Sequence, residues 1–297
     1  MNDNTVWLSP AKINLFLRIR EQRSDGMHEL QTAFQFVELC DEIQISLRND
    51  NIINNLTPIF GVNQEQDLCL RAARALQQYA ADINAQDRSG KAVYGADIRI
   101  KKHIPMGGGM GGASSNAATV LRVLNQLWGL HLNMVQLSTL GLSLGADVPV
   151  FIQGQAAWAE GVGEQLTTLQ NMKEYWYLIV DPGVNVNTAQ MFADSQLTRH
   201  SEALTICPPE PGALGNVFEP VVRAKYAKID EIFACLEPQC QPFLTGSGGC
   251  VLVAFSDKAS AQTMQSVCPQ GVSTHIAKSM NSSPLNAQLA TLSYGAS

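Results

Sequence analysis

The segment PMGGGMGGASSNAA, from Pro105 to Ala118, carries five glycines in six positions. Without Cβ atoms, such a backbone can take positive φ values and turn several N–H groups toward one anion. The helix expected next, with Ser114 or Ser115 capping its start, adds unpaired donors and roughly half a positive charge. Together these features make a cradle for phosphate; a tightly packed plain turn is the other reading. Gly107, Gly109 and Gly112 formally match a dinucleotide pattern, but a glycine pentad satisfies many patterns. The acidic residue that a dinucleotide ribose needs about 20 positions on is missing, since no Asp or Glu lies between Asp97 and Asp147. Hydride transfer is therefore disfavoured. No lysine follows the glycines, so the P-loop pattern fails as well. Inside the acid-free interval the formal charges are Arg99, Lys101, Lys102 and Arg122, all positive in a chain of net charge −6. That is the local field expected of a polyphosphate pocket; for Arg99 and Lys101 a solvated strand face is the plainer alternative.

A second chemical pole stands at LGADVPVF, where Asp147 is a lone carboxylate among Gly, Ala and Val. Stranding it without a partner would cost several kcal/mol. Lys12, in SPAKINLFL, is an equally isolated cation at the start of a strand. Pairing Lys12 with Asp147 answers both anomalies, and an ordinary core salt bridge would answer them too. A third segment, LTGSGGC from Leu244 to Cys250, is another glycine turn, one that leads into a strand and could lean on the first.

The elements that must position these residues follow from periodicity. Ile13, Leu15, Leu17 and Ile19 alternate as in a half-buried strand, with Lys12, Asn14, Phe16 and Arg18 on the other face. Ile43, Ile45 and Leu47 alternate likewise, as do Ala96, Ile98 and Ile100. Leu68 to Tyr79 has helical spacing, followed by a polar loop to Gly90. After the glycines, Ala117, Val120, Leu121, Leu124, Leu127 and Trp128 trace a helical stripe. A further helix is expected over Met134–Leu144, capped by Asn133 and closed by Gly145. YWYLIV (175–180) and CVLVAF (250–255) read as strands, and the Pro208–Gly212 stretch reads as a loop. Strands and helices lack the regular alternation of a doubly wound sheet, so an α+β protein of two lobes is expected. The division falls near 168–174, giving lobes 1–168 and 169–297.

With 297 residues, 45% hydrophobic and 15% charged, the chain can bury one large core or two that share an interface. An acidic pI near 5.4 argues against a general nucleic-acid binder. No long apolar run or secretory leader pattern is present, so a cytoplasmic protein without membrane association is expected. The seven cysteines show no CxxC spacing, so they are read as reduced and mostly buried. Nothing in the sequence sets an oligomeric state.

Taken in order, SPAKINLFL, PMGGGMGGASSNAA, LGADVPVF and LTGSGGC resemble the signature segments of the GHMP small-molecule kinases. RSDGMHELQT, AEGVGE and PGVNVNT extend the likeness over nearly the whole chain. Within the superfamily the likeness is closest to the branch acting on 4-diphosphocytidyl-2-C-methyl-D-erythritol. The resemblance implies a two-lobed α+β GHMP-kinase fold with nucleotide and substrate in the cleft. It also implies ATP-dependent phosphorylation of the 2-hydroxyl of that cytidine diphosphate alcohol, a step of the non-mevalonate route to isoprenoid precursors. Two alternatives stay open: a homoserine- or mevalonate-type kinase, and a non-catalytic nucleotide-binding module of the same fold. His28 and Phe192 weigh against the first; Lys12, Asp147 and the glycine loop together weigh against the second.

By the same resemblance, Pro105, Met106, Gly107, Gly108, Gly109, Met110, Gly111, Gly112, Ala113, Ser114 and Ser115 would hold the ATP phosphates. Lys102 would lie beside the adenine. Asp147 would accept the hydroxyl proton, and Lys12 would orient Asp147 and offset charge on the attacking oxygen. A cation beside a carboxylate weakens it as a base, so orientation is expected to be the larger share of that role. Asn14 and Thr188 would contact the substrate, His28 would hydrogen-bond the cytosine edge, and Phe192 would stack on the ring. Mg²⁺ is implied by ATP, with Ser114 or Ser115 a better candidate contact than Glu160 or Glu164. Where the family has Gly-Tyr-His, this chain reads Gly26-Met27-His28, so a methionine replaces one aromatic wall. Sulfur over a ring still contributes about 0.3–1.5 kcal/mol.

Overall fold

A computed structural model describes residues 5–59, 61–87 and 94–294. The alternating run at Ile13 lies in a longer strand, β1 (Trp7–Gln22), paired antiparallel with β2 (His28–Arg48). The expected half-buried strand is in fact covered on both faces, since every residue from Ser9 to Leu17 is buried. The alternation also breaks. Asn14 pairs with Phe34 and Leu17 with Thr32, so Leu15 and Phe16 together oppose the single residue Ala33. This is a β-bulge, which re-aims the side chains on either side of it.

The next elements are β3 (Ile53–Asn55), α1 (Leu68–Asp87), β4 (Gly95–Lys101), α2 (Gly112–Leu127), α3 (Met134–Leu144), α4 (Val148–Gln153), β5 (Ala157–Glu160) and β6 (Gln165–Thr168). Helix α1 runs past the stop expected at Tyr79, because Ala80 continues its buried stripe and Gln78 bonds to Asp82 one turn on. Of the polar loop expected up to Gly90, residues 88–90 lie outside the described residues. Helix α3 begins and ends as expected, with a full capping box at Asn133 and Gln136. Neither Ser114 nor Ser115 caps α2; its N-cap is Gly111, at φ 70°, with no side-chain cap. Leu47 departs from the expected face and is 51% exposed, whereas Ile43 and Ile45 are buried.

The remaining elements are β7 (Trp176–Asp181), α5 (Thr188–Phe192), α6 (Glu219–Lys225), α7 (Ala227–Leu236), β8 (Phe243–Leu244), β9 (Val251–Phe255), α8 (Lys258–Gln265), β10 (Ser273–Met280) and α9 (Pro284–Tyr294). One ten-stranded sheet runs β3-β4-β2-β10-β7-β9-β8, with β1 and β5 also on β2 and β6 on β5. Helices α1, α2 and α4 bury their stripes against β2 and β4; Val120, Leu121, Val123 and Leu124 are fully covered. Each such burial contributes about 1.5–3 kcal/mol. Helices α6, α7 and α8 cover β7 and β9 through Val222, Ile229, Phe233 and Met264. Between the two layers, Phe16, Trp158, Tyr177 and Leu252 fill a third cluster beside the bulge.

The mixed α/β architecture agrees with the expected fold class. The last helix nevertheless returns to the first layer. Leu285 joins its core, and Gln288 accepts from the Leu8 amide at 2.9 Å and donates to the Val6 carbonyl at 2.9 Å. All seven cysteines are free, but only Cys69 and Cys250 are buried; Cys207 is exposed and the other four lie between, which corrects the expectation of mostly buried thiols.

One buried ion holds the entry to the glycine loop. Asp41 on β2 is 0% exposed; it accepts from the His103 amide at 2.7 Å and the Ile104 amide at 2.9 Å, and pairs with the Lys102 ammonium. Deleting the carboxylate strands the buried Ile104 N–H, the part-buried His103 N–H and a cation. Asp41→Ala is therefore expected to lower stability by about 3–5 kcal/mol in urea unfolding, with the midpoint unchanged if the contact is decorative.

Candidate functional site

Two glycine turns meet above the bulge. The Cys250 amide donates to the Gly108 carbonyl at 3.3 Å, and the Gly249 amide to that of Gly107 at 3.3 Å. A Cβ on Gly248 would fall 2.1 Å from the Gly109 nitrogen, and one on Gly109 would fall 2.2 Å from the Thr245 carbonyl oxygen. The interlock thus requires backbone approach that no side chain permits. The segment 244–250 leans on the phosphate-loop candidate, as its sequence allowed. Met110 anchors the same loop to β1 by accepting from the Lys12 amide at 3.0 Å.

A cavity of about 360 Å³ lies along this loop. Of the candidate phosphate-binding residues, Pro105 to Ser114 line it in an unbroken run, and Lys102 lines it too. Ser115 does not. Its hydroxyl is buried, donates to the Pro10 carbonyl at 2.6 Å and accepts from Ser9, while its amide bonds to Gly111 within the helix. The positive field expected from the acid-free interval is also corrected. Lys102 is neutralised by Asp41, and Lys101 pairs with Glu42 at 3.0 Å on the exposed strand face. Arg122 is turned toward Asn286, and burial pushes its pKa down to about 10. An interval free of acids in sequence is thus supplied with acids by β2 in space. The anion-binding capacity that remains is the backbone amides and the start of α2.

A second cavity, of about 260 Å³, shares Ser114 with the first and contains Lys12, Asn14, Asp147 and Thr188. The Lys12 ammonium lies 3.4 Å from the Asp147 carboxylate, with side-chain exposures of 4% and 38%. It donates to Asn14 Oδ1 at 2.6 Å and sits 5.0 Å from the centre of the Phe34 ring. A buried ammonium costs several kcal/mol unless its protons are met; here a carboxylate, an amide oxygen and a π face meet them. Asp147 stays open to the cavity, at the start of α4. Thr188 shares a 2.7 Å hydrogen bond with Ser247, joining α5 to the second glycine turn.

A third cavity, of about 420 Å³, continues past Phe192 and is lined by Met27 and His28. The His28 and Phe192 rings stack with centroids 4.8 Å apart and planes 30° apart, and Phe192 meets Phe218 edge-on at 4.9 Å. That spacing leaves no room for a third ring between His28 and Phe192. A planar ligand would lie on the outside of the pair, where Met27 is 49% exposed. His28 Nε2 is buried without a hydrogen-bond partner among the described residues. Burial, and secondarily the Arg199 charge, hold its pKa below the ordinary 6.5.

Residues 67–155 match the family model for the GHMP kinases N-terminal domain. Over this segment the chain is similar to the GHMP kinases. It is similar to a crystal structure of 4-(cytidine 5'-diphospho)-2C-methyl-D-erythritol kinase, at 25% identity and a TM-score of 0.71, covering 93% of this chain and 99% of that one. Similarity in fold extends to the Methanococcus jannaschii mevalonate kinase, at 14% identity and a TM-score of 0.64 over 94% and 99% of the two chains. It extends also to homoserine kinase from Cytophaga hutchinsonii, at 15% identity and a TM-score of 0.63 over 93% and 94%. No helix among the described residues is long and apolar enough to cross a membrane.

Two residues in or beside the cleft escaped the sequence reading. Asn116 lies at the start of the second turn of α2, lines the first cavity, and has a buried Oδ1 with no partner among the described residues. Its signal was a polar residue in helical register with Val120 and Val123. Arg199, whose guanidinium donates to the carbonyls of Phe192 at 2.8 Å and Asp194 at 2.7 Å, staples the end of α5. Nothing local in its sequence marks it.

Two outcomes follow from this geometry. Gly248→Ala is expected to weaken nucleotide binding at least about tenfold in calorimetry, or about 1.4 kcal/mol; unchanged affinity would show that the two turns are independent. In an NMR titration the His28 imidazole is expected to protonate below pH 6.5. Because the unfolded chain then binds the proton more readily, this group's contribution to stability is present above pH 6.5 and lost as pH falls.

Proposed function

We propose that this chain is a GHMP kinase that transfers the γ-phosphoryl group of ATP to the 2-hydroxyl of 4-diphosphocytidyl-2-C-methyl-D-erythritol. The observation that carries the reading is the line of three adjoining cavities. A glycine-lined pocket opens at Ser114 onto the Lys12–Asp147 pair, which opens in turn onto Met27, His28 and Phe192. Donor, reaction point and acceptor base would thus lie in sequence along one cleft. The structural likeness to an enzyme named for this alcohol supports the same substrate.

In this reading the backbone amides of the loop from Pro105 and the start of α2 hold the phosphates, with Ser114 at the γ end and Lys102 beside the nucleoside. Asn116 adds an acceptor there. The 2-hydroxyl oxygen attacks the γ-phosphorus, the bond to the β–γ bridging oxygen breaks, and ADP leaves. The hydroxyl proton passes to Asp147. Phosphoryl transfer has a loose transition state, so most of the catalysis is positioning and charge neutralisation. Lys12 serves both ends: it orients Asp147 and stabilises charge on the attacking oxygen. Mg²⁺ would arrive with ATP and supply further neutralisation, and Ser114, at the junction of two cavities, is the side chain placed to touch it. Hard cations of this size commonly keep waters and phosphates as most of their ligands. The stacked His28 and Phe192 rings form one wall of the third cavity, and the cytosine ring would lie on the outside of that pair beside Met27.

The test is an ADP-release assay with the cytidine diphosphate alcohol, mevalonate and homoserine offered separately. Turnover of the first alone is expected. Preference for another alcohol would reassign the substrate, and silence with all three would favour a binding module. Asp147→Asn is expected to fold, to bind ATP as before, and to lose about 10²–10⁴ in kcat. Met27→Tyr is expected to tighten the cytidine substrate, by roughly the difference between a thioether and a ring wall, up to about tenfold; unchanged KM would remove Met27 from the base site.

A further inference from the structure

The polarity of one buried amide decides whether the Lys12 ammonium keeps the nearest of its acceptors. Asn14 presents Oδ1 to Lys12 at 2.6 Å and Nδ2 to the Thr32 hydroxyl at 2.8 Å. The Thr32 hydroxyl in turn donates to the Phe16 carbonyl at 2.5 Å. A hydroxyl has one proton to give. With that proton committed to Phe16, Thr32 can only accept, and so only the NH₂ end of Asn14 can face it. The reversed amide would set two donors against each other at Lys12 and two acceptors at Thr32. Lys12, Asn14 and Thr32 are all at least nine-tenths buried, leaving little room for water to relieve such a clash.

The chain of constraint begins at the bulge. Because Leu15 and Phe16 share one opposing residue, the regular ladder is interrupted there and the Phe16 carbonyl is directed to a side chain. The Asn14 amide N–H is held separately by Thr245 Oγ1 at 2.8 Å, so the backbone of Asn14 is fixed and only its side-chain polarity remains to be set.

We propose that Thr32 is a positioning residue for phosphoryl transfer: it reads the orientation of the Asn14 amide and thereby holds the Lys12 ammonium at Asp147. This rests on the roles given above to Lys12 and Asp147. Thr32→Val removes the hydroxyl at nearly constant volume, whereas Thr32→Ser retains it. In protein labelled with ¹⁵N at lysine Nζ, the Lys12 ammonium signal, assigned by its loss in Lys12→Arg, is expected to be resolved at pH 7 in the native chain and in Thr32→Ser. It is expected to be broadened by exchange in Thr32→Val. An undisturbed signal in Thr32→Val overturns the proposal, whatever alcohol the enzyme uses.

With the alcohol that the native chain turns over, Thr32→Val is expected to lose at least about tenfold in kcat with KM for ATP within about twofold. Thr32→Ser should stay within about threefold of native. Adding Thr32→Val to Asn14→Ala should cost nothing further, because the amide being read is gone. Additive losses, or a Thr32→Ser enzyme as slow as Thr32→Val, would overturn the proposal. A native chain inactive toward every alcohol would refute the functional reading instead, leaving the ammonium signal to decide the positioning.

Discussion

A buried ammonium is the most demanding group in this molecule, and the architecture around the cleft answers it. Lys12 has almost no access to water, so its protons must find acceptors within the protein. Three different elements supply them: Asn14 from its own strand, the Phe34 face from the paired strand, and Asp147 from the start of α4. Shifting any one of these by an ångström would weaken one of the few contacts that stand in for water around the cation. The need to satisfy Lys12 therefore ties β1, β2 and α4 into one register.

The second constraint is the close approach of two backbones. Gly109 and Gly248 meet at a distance that excludes Cβ atoms, and this contact brings the second half of the chain onto the first. The same region is covered on both faces of β1, which allows a long strand to pass beneath the cleft with buried polar side chains on it. The bulge then turns Asn14 and Thr32 toward each other within that strand pair. The polar groups of the cleft stand on strands and a helix start, and the glycine loop is held to them by hydrogen bonds from β1 and from residues 249 and 250.

Much of this was legible in the residues alone. Helix α3 was readable to the residue because its caps are local chemistry: Asn133 and Gln136 at one end, Gly145 at the other. The glycine cluster and the isolated charges Lys12 and Asp147 were conspicuous because each violates what its neighbours would predict. What misled was reasoning about charge along the chain. The stretch from Asp97 to Asp147 contains no acid, yet Asp41 and Glu42 face Lys102 and Lys101 across the β2–β4 pairing. Electrostatic fields act through space, and a strand partner some sixty residues away in sequence is nearer than the next turn.

Ser114 and Ser115 illustrate the same division at the scale of one bond. Both look alike as helix-start residues; burial sends Ser115 toward Pro10 and leaves Ser114 at the junction of two cavities. Composition, spacing and local capping determined which segments would be strands, helices and glycine turns, because those properties depend on interactions a few residues apart. Only the tertiary structure decided which polar groups face the cleft, which are consumed as counter-charges, and how the Asn14 amide is turned. Those outcomes depend on desolvation and on hydrogen-bond partners that folding brings together from distant parts of the chain.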